Sequence, residues 1–413
     1  MRHSAIVYFS SYGLSLLGAG ISSVVMPLLV LARTGDVLAA GVLATVATAA
    51  SAATGIVSGL LVDRFNRRTV SVVSNALSAL SVATLPLVDV LWGLDMTWFV
   101  ALALVGAVIR VPGMTAHETL LPALIRAGGG RLDRMIATRE TVGNVLLLGG
   151  PGLGGLFVWL FGTTSALMLA TASLSLLAAA STLLLDPRAG AVEKVVPAAG
   201  NALKRAVTDL AVSWRFLVRS RIVLGSTLIT AVFAAVISSL QTTLMPAFFT
   251  REDLPALAGL TLSALSAGSI AGSALYAVSA GRVRRRTWFV IGMAGTLVGF
   301  AAVGSMASPW VVLGAAAFVG LTNGPAGALL GVLTVEATPD EMRGRVLGAQ
   351  NTLVLSAPAL TSAPIAAIAA GAGLETAGMV LAALVAVTSV AALLAPAFRS
   401  LDEERAPEFV GVR

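Results

Sequence analysis

The sequence predicts an all-α membrane protein with twelve transmembrane helices in two six-helix, pseudo-symmetric bundles. Three observations predict it. Apolar stretches recur at lengths that cross a bilayer, the basic residues between them fall on one side, and the second half of the chain repeats the first. Apolar residues make up 57% of the chain and charged residues only 11%, with a mean hydropathy of +0.92. A soluble domain does not reach that balance.

The stretches run over 5–31, 38–62, 69–91, 97–124, 135–161, 164–185, 222–249, 256–280, 288–307, 309–335, 346–370 and 376–398. They meet the ~20 residues that a bilayer's hydrocarbon core requires. The start, Met1-Arg2-His3 followed by an apolar run to Leu31, is too long for a signal-peptide core and reads as the first span. Of 27 Lys and Arg residues, all but Arg33, Arg110, Arg139 and Arg251 belong to the termini or to the gaps that follow even-numbered spans. That bias predicts cytoplasmic termini and a cytoplasmic central loop in a multi-pass cell-membrane protein. The formal charge of +7 is therefore scattered over short loops facing anionic lipid and points to no nucleic-acid partner. The chain has no cysteine, which removes disulfides, thiolate catalysis and cysteine metal sites together.

The expected domains are residues 1–185 and 222–398, joined by a linker at 186–221 and followed by a polar tail at 399–413. Within the linker, Leu203, Val207, Leu210, Trp214 and Leu217 share one helical face, with Lys204, Arg205, Arg215 and Arg219 around it. Such a helix is expected to lie along the inner membrane surface. The halves correspond in order. Met26-Pro27 recurs as Met245-Pro246, and the run from Asp63 to Thr69 as that from Gly281 to Thr287. Trp98 then answers to Trp310, Pro112 to Pro325 and Pro151 to Pro364, at offsets of 219, 218, 212, 213 and 213. Parallel six-span halves of this kind enclose a binding site near the midplane.

The gap between spans 2 and 3 reads Gly59-Leu60-Leu61-Val62-Asp63-Arg64-Phe65-Asn66-Arg67-Arg68. It resembles the loop signature of the major facilitator superfamily, with Asn66 where glycine is usual. Asn enters left-handed backbone cheaply, so the turn is expected to survive. The resemblance implies that Asp63 caps a helix N-terminus in the second half, and that Arg64, Arg67 and Arg68 bind carboxylates near span 4 to close one side of the transporter. The bland alternative is a positive-inside loop and nothing more.

Span 5 contains Gly150-Pro151-Gly152-Leu153-Gly154-Gly155. Gly150, Gly152 and Gly155 match a dinucleotide fingerprint, but no strand precedes them and the run is apolar throughout. The segment resembles instead the span 5 motif of the superfamily's proton-driven drug exporters. The upstream glycines of that motif are absent, Ala137 and Leu146 standing in their places. Pro151 is expected to kink the helix while Gly150, Gly154 and Gly155 allow close packing, and plain packing glycines are the competing reading. Pro339 to Val346 and the linker run Trp214-Arg215-Phe216-Leu217 resemble the macrolide-efflux and siderophore-export branch of the same family.

Arg110 sits mid-span in helix 4, where a charge costs at least ~2.5 kcal/mol against lipid and needs a cavity or a partner. Exporters of the resembled family often carry an arginine at this place, one implied to assist proton movement. Glu118 and Glu140 are the candidate proton carriers, and each has a structural alternative as a partner for Arg64, Arg67 or Arg68. Asp36 and Asp89 lie near the outer face and are expected to be solvated. Asn144, Gln241 and Asn323 are the remaining polar groups expected at depth, either on the substrate path or bonded to a neighbouring helix. His117-Glu118 makes no zinc site, because Leu121 stands where a second histidine would be needed.

Residues and resemblance together predict a secondary active transporter and not an enzyme. It is expected to be a monomer that exports a small amphipathic compound, drug-like or siderophore-like, by alternating access against inward proton flow. The proton gradient is its energy source, membrane lipids surround it, and no cofactor or metal is implied. A lipid or lysolipid flippase, or an uncoupled facilitator, is the alternative that the shortage of deep acids favours. A non-transporting receptor on the same fold is expected to have lost both the loop signature and the cavity charge.

Overall fold

A computed structural model describes residues 2–128, 132–190, 202–279, 282–339, 342–399 and 401; for some residues within these ranges only the backbone is described. The described residues are almost wholly helical and include no strand. The first six helices are α1 (Arg2–Thr34), α2 (Val37–Arg64), α3 (Arg67–Leu91), α4 (Met96–Gly128), α5 (Leu132–Phe161) and α6 (Leu167–Leu183). The linker helix is α7 (Ala202–Arg219). Span 7 is broken into α8 (Arg221–Ser239), a π-helical turn at Leu240–Leu244, and α9 (Met245–Arg251). Spans 8 to 12 are α10 (Leu257–Ser279), α11 (Arg285–Ser305), α12 (Pro309–Ala337), α13 (Arg343–Ala372) and α14 (Leu374–Leu394). Ten of the helical segments are long and apolar enough to cross a membrane, and Leu148–Phe161 and Leu167–Leu183 form two shorter apolar helices.

The described chain falls into two compact units, one of Met1–Glu193, Gln241–Ser263 and Ser362–Gly371, the other of Lys194–Leu240, Ala264–Thr361 and Ala372–Arg413. In the first, α1 packs on α5 and α6, and α3 on α4 and α6. In the second, α11 packs on α12 and α14, and α8 on the same two helices. All six of the first helices feed one apolar core, through Val25 and Leu29, Leu43, Leu85, Phe99, Val158 and Met168. Large apolar side chains such as Val90, Trp159, Leu176, Val278 and Leu360 point outward instead, the arrangement expected where lipid is the surrounding solvent.

The two ends of the helices are built differently. Every turn from an odd to an even span contains a residue with left-handed backbone: Gly35, Gly93, Gly162, Asp253, Met306 and Gly373. A left-handed residue reverses the chain directly after a helix, so these turns are only one to five residues long. The opposite end carries the basic loops and is called the basic end below.

Two sequence expectations are revised at this level. Met26-Pro27 and Met245-Pro246 repeat in sequence, yet α1 runs unbroken through Pro27 while a π turn immediately precedes Met245. The described end of the linker helix does not lie free on a membrane surface. Leu217 is fully buried with Val223, Val346 and Ala349, and Trp214 packs against them. The apolar face is covered by the starts of α8 and α13, because protein offers closer packing than a headgroup layer. The side chains of Leu203, Val207 and Leu210, and the tail from 402, lie outside the described residues.

Candidate functional site

Two arginines of the loop signature reach backbone carbonyls, one of them at a helix end. Asn66 is not left-handed: at φ −58°, ψ 119° it is the N-cap of α3, and its side-chain oxygen accepts from the backbone N–H groups of Arg68 and Thr69. Asparagine therefore suits this place by capping. Arg67 Nη1 donates to the carbonyl of Thr119 on α4 at 3.5 Å, and Arg68 to the carbonyl of Leu183 at the C-terminus of α6. Among the described residues both arginines thus meet carbonyls, where carboxylates were expected. The last carbonyls of a helix lack intrahelical partners and carry the negative end of its dipole, which makes them good acceptors for a guanidinium. Arg64 is exposed. The second half repeats the device: Arg286 donates to the carbonyls of Leu393 (3.1 Å) and Phe398 (2.6 Å) at the end of α14. Arg285 forks onto both oxygens of Glu336 on α12, at 2.7 and 2.8 Å.

The glycines of span 5 bring backbones together. A Cβ on Gly150 would stand 2.9 Å from the Cα of Gly20 on α1, so only two glycines allow α1 and α5 this approach. One turn on, a Cβ on Gly155 would meet the carbonyl oxygen of Ala256 at 2.5 Å, at the start of α10. Gly154 faces the backbone of Ile21. Ser263 Oγ donates to the carbonyl of Leu148 at 2.6 Å, one turn before Pro151, and α5 continues through the proline.

The side chains of Asp63, Glu140 and Asn144, and the surroundings of Gly59, lie outside the described residues; these four are fixed only as positions on α2 and α5. Arg110 is exposed in mid-span of α4. It makes no hydrogen bond or ion pair among the described residues. Its α4 neighbour Gly106 likewise faces open space. Gln241 lies half-buried within the π turn, and Asn323 half-buried in α12 one residue after Thr322.

The acids depart from expectation. Glu118 pairs with Arg139 of α5 at 2.9 Å and not with the loop arginines. Asp89 is not solvated: its carboxylate is 10% exposed, held by Arg33 and by the Ser165 hydroxyl. Asp36 is exposed and caps α2 through the N–H of Leu38. One cluster was not expected from the sequence. Tyr8 and Tyr12 on α1 stack on the ring of His117, with Arg139 above Tyr12. A signal was available, since the chain has three tyrosines and two histidines and this cluster takes three of those five residues.

The Major Facilitator Superfamily model matches residues 8–362 and 243–412, and the chain belongs to that superfamily. It is a multi-pass membrane transporter and not an enzyme. The multidrug efflux pump Tap of Mycolicibacterium fortuitum is 28% identical over 93% of this chain and 94% of its own length. The pump of the same name from Mycobacterium tuberculosis is 31% identical, over 93% of this chain and 91% of the relative. Among solved structures, a D-xylose-proton symporter has a TM-score of 0.71 at 14% identity, covering 96% of this chain and 98% of that one. A bacterial homolog of the human lysosomal transporter Spinster, inward-facing and unoccupied, has a TM-score of 0.72 at 13% identity, with 97% of each chain covered. At those identities the likeness concerns the fold alone.

Proposed function

We propose that this transporter exports small amphipathic organic compounds, drug-like or siderophore-like, across the cytoplasmic membrane in exchange for protons. Its halves, 1–185 and 222–398, alternate access to a site near the midplane, with both termini on the cytoplasmic side. The observation that carries the reading is Arg110, an exposed guanidinium in mid-span without a protein partner among the described residues. A charge kept there against its desolvation cost has work to do with cargo or protons. One deep arginine suits an amphipathic cargo better than sugar phosphates or dicarboxylates, which call for several. Relatives named as multidrug efflux pumps over nearly the whole chain support the same direction. Glu118 and Glu140 are the carboxylates nearest this path, and Asn144, Gln241 and Asn323 its neutral polar groups.

The test is efflux of rhodamine 6G from proteoliposomes, with and without an imposed proton gradient. Gradient-driven efflux is the expected result. Efflux indifferent to the gradient would overturn antiport in favour of an uncoupled facilitator, and absent efflux with movement of labelled lysolipid would establish a flippase.

A further inference from the structure

Two turns from Arg110 toward the basic end of α4, His117 is 7% exposed and built into a cluster drawn from four helices. Its ring lies parallel to those of Tyr8 (centroids 4.5 Å apart, 11° between planes) and Tyr12 (5.7 Å, 8°), both on α1. From α3, Ser71 Oγ stands 3.4 Å from Nδ1, and the Tyr8 hydroxyl donates to the His117 carbonyl at 3.3 Å. Nε2 is buried and has no hydrogen-bond partner among the described residues. The tautomer that donates from Nδ1 to Ser71 leaves the Nε2 lone pair unused in a place where polar atoms are ordinarily satisfied.

Charged side chains approach the ring from several helices, and one of them, Glu118, is exposed. On α5, Arg139 sits 5.2 Å over the Tyr12 ring and 2.9 Å from Glu118, whose side chain is 55% exposed. Arg67 on α3 is tied to the Thr119 carbonyl, and Arg110 stands about 10 Å along α4 from His117. Asp63 on α2 and Glu140 on α5 belong to the same end of the bundle, with their side chains outside the described residues. Two tyrosine faces offer an imidazolium the negative side of their quadrupoles, and Glu118 partly offsets the charge of Arg139.

We infer that His117, in the cradle of Tyr8, Tyr12 and Ser71, is the proton-binding site that couples export to the gradient. Nε2 takes a proton from hydronium, an N–H bond forming as an O–H bond breaks and water leaves. The imidazolium returns the same proton to water later in the cycle. A cationic cargo such as rhodamine 6G bound within about 10 Å of the protonated ring would weaken proton binding and be weakened by it, as exchange requires. The inference rests on the antiport reading, and its test separates the two.

The purified full-length protein in weakly buffered detergent is mixed with rhodamine 6G, and proton release is followed with a pH indicator. Wild type is expected to release protons as dye binds, His3→Gln to do the same, and His117→Gln to bind dye without release. Release by His117→Gln at the wild-type level overturns the site and leaves antiport standing; binding by wild type without release overturns both. Should His117→Gln fail to fold or to bind, His3→Gln protein labelled with nitrogen-15 histidine retains a single imidazole for NMR. Its protonation is expected to change with pH and to shift when dye is added, and an imidazole blind to both overturns the site.

Discussion

At the scale of single residues, glycine positions carry sharper consequences than the charges do. Gly150→Leu places a side chain where the Cα of Gly20 already stands, and neither backbone can yield without parting α1 from α5. Over-packing of this kind costs roughly 1–3 kcal/mol or more. The variant is expected to melt well below wild type in detergent; an unchanged melting temperature would mean the helices separate freely there. Arg68→Ala and Arg286→Ala each strip a charged donor from the last carbonyls of a half's final helix. Charge-assisted bonds of this kind contribute about 1.5–3 kcal/mol, so both variants should lose similar stability. A loss confined to one would show that the two halves use the arginine differently. Arg285 and Glu336 are both largely exposed, and a double-mutant cycle on that pair should return a coupling below about 1 kcal/mol. The carbonyl partners of Arg67, Arg68 and Arg286 were not legible in the sequence. Motif spacing says that a guanidinium seeks negative charge; it does not say that a helix C-terminus across the bundle supplies it.

Among the elements, the apolar runs made the spans plain, and periodicity alone made the linker helix plain as well. The π turn at Leu240–Leu244 was not legible, because Leu-Gln-Thr-Thr-Leu has neither glycine nor proline to mark it, and Pro246 falls just after it. The surface to which Leu217 attaches was equally hidden, since amphipathicity announces a face and not its occupant. The turn at Asp253 offers a test. Its φ of 58° is a conformation that glycine adopts without strain, and the side chain is exposed. Asp253→Gly should therefore raise stability by up to about 1 kcal/mol, read as a higher melting temperature. A lower one would mean that the carboxylate itself holds the turn.

For the whole molecule, hydropathy, the one-sided basic residues and the internal repeat were enough to define the fold, because a bilayer admits so few solutions to backbone hydrogen bonding. The site was only half legible. Arg110 stood out as a lone charge in an apolar run, whereas His117 was judged as a metal ligand and dismissed, its aromatic neighbours being more than a hundred residues away in sequence. If Arg110 serves transport, Arg110→Ala should cut dye efflux more than Arg110→Lys while melting no lower than wild type, since a costly charge has been removed. Equal efflux from both would leave charge at that position without a role. The six left-handed turns bear on how such a molecule comes into being. Each closes an odd helix onto the next within a few residues, so the chain can leave the ribosome as six ready-made hairpins, not twelve separate rods. A hairpin brings two apolar faces to the translocon together and carries no long polar loop through it. A bulky residue at Gly93, where φ is +78°, would on this view strand two helices at once, a defect of biogenesis that no assay on the purified carrier would reveal.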